Sequence, residues 1–173
     1  MMNKFISIMN WALSTICVAL SSLLVCCVVW QVLSRYLLNT PSTYTDEIAR
    51  FLFIWVGLMG AAYALGQKKH LAIDLLVSKF EHSPSLQHRL QLVINLISVA
   101  FATMIMCYGG GNLVIDTVNS GQISPVLGIQ MGIVYLAIPL SGCFMLIYLL
   151  RDIIDNFHHL NLKSSPLSDN QGE

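Results

Sequence analysis

Four apolar runs constrain this chain more than anything else in it. They fall at about 8–33, 48–65, 90–114 and 127–150. Each is close to the roughly 20 residues that an α-helix needs to cross a bilayer. Inside lipid there is no water to meet an exposed backbone N–H or C=O, so each run must be helical. The first is too long for the apolar core of a secretory signal, which is about 7–15 residues. Only 10% of the 173 residues are charged, against about 25% in a soluble domain. The expected fold is an all-α integral membrane protein with four transmembrane helices.

The formal net charge is zero, which leaves no basic field for nucleic acid. Cys17, Cys26, Cys27, Cys107 and Cys143 all lie in apolar runs and form no C-x-x-C pair, so they read as small buried hydrophobes. The middles of the four runs hold no ionisable residue. His70, His82, His88, His158 and His159 all lie outside them. Ionisable residues deep in a membrane mark ion and proton paths, and a haem-binding bundle needs its axial ligands within the helices. No serine–histidine or paired-carboxylate constellation is present. The chain reads as neither an enzyme nor a cofactor carrier, and most economically as an accessory or scaffold subunit. A stand-alone four-helix carrier or an assembly factor is the alternative.

Basic residues set the orientation. Lys4, Lys68, Lys69, Lys79, Arg89, Arg151 and Lys163 share one side, and Arg35 and Arg50 the other. The cytoplasmic side carries the excess, so both ends of the chain are expected in the cytoplasm. Trp11 and Trp30 sit near the two ends of the first run, as interface anchors do. The expected domain is 1–163, followed by a disordered polar tail at 164–173.

Polar chemistry concentrates between the first two runs. Asn39, Thr40, Pro41 and Ser42 are turn residues. Thr43 or Thr45 is expected to cap the second helix. Asp46 and Glu47 fall in its first turn, where the helix dipole favours acids. Arg50 follows Asp46 by four residues and Glu47 by three, so it can pair with either. Arg50 is expected to be the more buried base and Arg35 the more exposed. Gly57, Gly60, Ala61 and Ala64 share one face of the second helix, which lets another helix approach closely. That helix belongs either to this chain or to a partner.

After the second run, 70–80 reads as a short amphipathic helix lying in the interface, with His70 and Asp74 on its polar side. In the third run Gly109, Gly110 and Gly111 weaken the helix and predict a bend or an unwound turn. In the fourth, Gly128 and Gly132 form a second small-residue pair, and Pro139 predicts a kink.

The stretch 31–74 resembles the small membrane subunit of TRAP transporters, the DctQ-type permease of the tripartite ATP-independent periplasmic family. Gln31, Arg35-Tyr36, Asn39, Pro41, Asp46-Glu47-x-Ala49-Arg50, Trp55, Gly60-Ala61 and His70-x-x-Ile73-Asp74 carry the resemblance in order and spacing. Tyr44 stands where family members often have Trp. The second half of the chain is only generically similar. The resemblance implies a bacterial inner-membrane transporter driven by a sodium gradient. Its periplasmic binding protein captures an organic acid, such as sialic acid or a C4-dicarboxylate. Substrate and sodium would belong to a large, many-span subunit, and this chain would enlarge and anchor its fixed scaffold within the lipid. Glu47 and Arg50 are assigned to the helix end or the large-subunit contact, and Arg35 to docking of the binding protein. Tyr36 and Trp55 join these residues and the small-residue face as candidate interface positions.

Overall fold

A computed structural model describes residues 2–67 and 84–163. The expected interfacial helix at 70–80, with His70 and Asp74, and the tail at 164–173 lie outside the described residues.

The first helix, α1 (Met2–Tyr36), runs well past both expected boundaries. It ends where Asn39 takes a left-handed backbone, φ 49°, a conformation Asn tolerates better than most residues. Leu37 and Thr40 donate backbone N–H groups to Leu33 and Ser34 at 2.8 and 3.2 Å, closing the turn. The next helix, α2 (Thr43–Gly66), departs from an extended Ser42. Neither Thr43 nor Thr45 caps it as expected. The cap position is Ser42, which makes no side-chain cap bond, and Thr45 instead donates its hydroxyl back to the Ser42 carbonyl at 3.1 Å.

The third span is continuous across three pieces: α3 (Pro84–Phe101), a π-helical stretch Ala102–Gly109, and α4 (Gly110–Asn119). Pro84 suits a first helical position because its missing N–H has no partner there in any case. The glycines do not unwind the chain: Gly109 and Gly110 both hold helical backbone angles. The reason is packing. A Cβ on Gly110 would lie 2.7 Å from Ile138 Cγ2, so this glycine lets two helices meet closely. The ladder widens to π geometry just upstream instead.

The fourth span begins later than expected. Residues 121–130 form a tight loop with an antiparallel bridge between Ile123 and Gln130. Gly128 stands there with φ 66°, a left-handed position that favours glycine. It is a turn residue and not half of a helix-packing pair with Gly132. A short helix, α5 (Met131–Tyr135), then breaks at Leu136 and resumes as α6 (Ala137–Lys163). Pro139 explains the break, since it has no N–H and its ring clashes with the carbonyl four residues earlier, that of Tyr135.

Ile6–Tyr36, Thr43–Gly66, Val93–Asn119 and Met131–Ile154 are long and apolar enough to cross a membrane. They make the chain a multi-pass membrane protein. The helices form an open row and not a closed bundle. Among the described residues the α1 backbone approaches only α2. Next comes α6, followed by the π-helical stretch with α3 and α4. Among the described residues the third span does not approach α1 or α2.

At the chain-terminal end the row is tied by Ile6, Met9 and Leu13 of α1, Ala62 of α2 and Tyr148 of α6. Between apolar surfaces in lipid, close packing and interhelical hydrogen bonds hold helices together. Both occur here. Tyr148 donates its hydroxyl to Asn10 Oδ1, and its ring lies over Gly66 with no room for a side chain. Further along, a Cβ on Gly142 of α6 would lie 2.7 Å from Met106 Cβ.

Candidate functional site

The opposite end of the row, where α1 ends and α2 begins, holds most of the polar residues singled out from the sequence. Gln31 and Arg35-Tyr36 arrive on the last turns of α1. The left-handed Asn39 reverses the chain, and Asp46 and Arg50 arrive on the first turns of α2. Together with Pro41, Ser42 and Thr43 they line one open groove of about 470 Å³.

The four charged side chains form no single network among the described residues. Arg50 donates to Asp46 Oδ2 at 2.6 Å, one helical turn away. Glu47, next to Asp46, points the other way. It is 9% exposed, and its Oε2 accepts backbone N–H bonds from Val126 at 3.2 Å and Leu127 at 2.8 Å. Leu127 N–H also reaches Ser124 Oγ at 3.2 Å, and Ser124 is itself buried. Two adjacent acids thus serve two structures: Asp46 the groove, Glu47 the 121–130 loop. Arg35 makes no ion pair or hydrogen bond among the described residues.

Arg50 is not the buried base that was expected. Its side chain is 75% exposed, because no other described element of this chain covers the face it shares with Gly57 and Ala61. That face is open along its length. Gly57 and Ala61 are exposed, and a Cβ on Gly57 or Gly60 would meet nothing within 4 Å. Of the two occupants left open by the sequence, a helix of this chain is therefore ruled out for the described residues. The internal contacts of α2 run instead through Met59, Ala62 and Gly66. Ala64 is half-buried.

On the far side of α2, Trp55 joins Leu20, Ile48, Phe51, Leu127 and Ile133 around an apolar groove of about 270 Å³. Asp116 is exposed near the end of α4. No group of three or more His, Cys, Asp or Glu among the described residues is placed to hold a metal ion. All five cysteines are free.

Sequence reasoning missed the Glu47 contact with the loop, and the cradle made by Val126, Leu127 and Ser124. Its partners lie 79 and 80 residues away, and no local spacing signals them. The one available hint is that 120–131 contains no charged side chain, so its backbone donors need an acceptor from elsewhere.

Residues 24–159 match the family described as tripartite ATP-independent periplasmic transporters, DctQ component. A Haemophilus influenzae protein named as a TRAP transporter small permease is 27% identical over 154 residues, 89% of this chain and 92% of that protein. The sialic acid TRAP transporter small permease protein SiaQ of Vibrio cholerae is 28% identical over 142 residues, 81% of this chain and 78% of its own. The isethionate TRAP transporter permease protein DctMQ of Oleidesulfovibrio alaskensis is 26% identical over 114 residues, 65% of this chain but 17% of that protein.

Proposed function

The chain belongs to the DctQ-component family of TRAP transporters, and from that membership we propose that it is the scaffold of a sodium-driven importer of an organic acid in a bacterial inner membrane. The observation that carries this reading is the open row. Four spans laid side by side bury little of themselves, and their few charged residues sit near the span ends. Such a body has surface to offer a partner and no ion path through its own middle.

The partner is a large, many-span permease subunit that holds substrate and sodium. In the DctMQ relative most of the protein lies outside the match to this chain, which supports a small and a large part working together. The uncovered face of α2, with Gly57, Gly60, Ala61 and Ala64 below Arg50, is the proposed large-subunit contact, since small residues let helix backbones approach. Trp55 contributes from the apolar groove on the other side. Glu47 keeps the loop 121–130 in place at the same end.

That end faces the periplasm, and both ends of the chain are cytoplasmic, on the excess of Lys and Arg there. A periplasmic binding protein then docks on the end that carries the groove, with Arg35 and Tyr36 on its rim. The substrate is a small organic anion, a carboxylate such as sialic acid or a C4-dicarboxylate. The test is co-purification of the tagged chain with the large subunit. Gly60→Leu places bulk on the open face and is expected to lower partner yield while leaving the chain's own yield unchanged. Unaltered capture would assign that face to lipid.

A further inference from the structure

The separation of charge at the start of α2 leaves one cation over. With Glu47 turned to the loop and Asp46 bound to Arg50, the groove presents two guanidiniums against one carboxylate. Arg35 has no counter-charge among the described residues. A second group there also lacks a partner: Gln31 Nε2 is buried and makes no hydrogen bond within the described residues. The N-terminus of α2, at Ser42 and Thr43 on the groove wall, has no side-chain cap, and uncapped first-turn N–H groups favour an anion. The Arg35 guanidinium, Gln31 Nε2 and the first-turn N–H groups of α2 are all donors.

We propose that this groove binds the phosphate of an anionic membrane lipid, with Arg35 as its principal ligand. Arginine matches phosphate oxygens with two parallel N–H bonds. The volume of about 470 Å³ lies within the roughly 300–1,000 Å³ of small-ligand sites and far exceeds one water. Depth favours a lipid over an acidic side chain of a partner protein. The groove starts at Gln31 and Val32, still inside the apolar span Ile6–Tyr36, and ends at Ser42. Exposed Trp30, Tyr36, Leu37 and Leu38 surround that level, as aromatic and aliphatic groups do at the headgroup boundary. The lipid would sit beside the proposed binding-protein dock without depending on it, because the five donors of Arg35 suffice for two partners.

The test is native mass spectrometry of the chain, purified with its co-isolating partners, titrated with phosphatidylglycerol or phosphatidylcholine in detergent. One phosphatidylglycerol is expected to remain bound per chain. Arg35→Gln should weaken retention on the order of five-fold. Arg35→Lys, which keeps the charge, should fall in between. Lys4→Gln, an equal charge change at the other end of α1, should have no effect. Four results would each overturn the proposal: equal retention of phosphatidylcholine, equal loss in Lys4→Gln, displacement by millimolar inorganic phosphate, or displacement by excess binding protein.

Discussion

Replacing Glu47 with alanine removes the side chain that hydrogen-bonds the start of α2 to the loop 121–130. Two backbone donors are affected, and unequally. Leu127 N–H keeps Ser124 Oγ at 3.2 Å, whereas no other acceptor is recorded for Val126 N–H. A hydrogen bond to a charged group contributes about 1.5–3 kcal/mol, and an orphaned buried donor costs about 1–3 kcal/mol. One donor keeps a second acceptor and the other loses its own, so local opening of the loop should become easier by about 2 kcal/mol. That is a rise of roughly thirty-fold in the open population. Glu47→Gln keeps a neutral acceptor and should cost about 1 kcal/mol, or roughly five-fold. The assay is amide hydrogen exchange of the purified chain in nanodiscs with residue-level readout. Val126 should lose more protection than Leu127 in Glu47→Ala, and α6 residues near Tyr148 should be unaffected. Unchanged exchange at Val126 would refute the reasoning, because the carboxylate would then not be the acceptor.

Three further outcomes follow from the packing. Gly142→Val should destabilise the chain by itself, by about 1–3 kcal/mol as overpacking does, since its Cβ position meets Met106 at 2.7 Å; thermal unfolding in detergent measures it, and Gly60→Leu serves as the neutral comparison. Tyr148→Phe deletes the bond to Asn10 and should cost about 0.6 kcal/mol, up to about 1.7, on the scale of interhelical bonds in membranes. Single cysteines on a Cys-free background at Ser42 and Ser120 should label from the periplasmic side and one at Ser168 should not; external labelling at Ser168 would reverse the orientation.

The spans were legible because lipid demands long apolar helices, and their number came directly from the runs. Pro139 was legible as an interruption because a missing N–H acts locally. The glycines were not, because a glycine in sequence does not show which side of its helix is covered. Gly57 and Gly60 carry the small-residue spacing, yet a Cβ on either would meet nothing among the described residues, while Gly66, Gly110, Gly132 and Gly142 make the close approaches. Gly128 looked like a helix-packing residue and is a left-handed turn. The polar end was legible as a location, since Gln31, Arg35, Tyr36, Pro41, Asp46 and Arg50 do meet around one groove. Its wiring was not. Helical spacing offers Arg50 both acids, and only the arrival of a loop from 80 residues away takes Glu47 out of that choice.

If this chain is scaffold and not carrier, uptake into proteoliposomes under an inward sodium gradient separates the two roles. The chain alone should move no labelled carboxylate, whereas the chain with its large subunit and substrate-loaded binding protein should accumulate it. Sodium-driven accumulation by the chain alone would contradict the account.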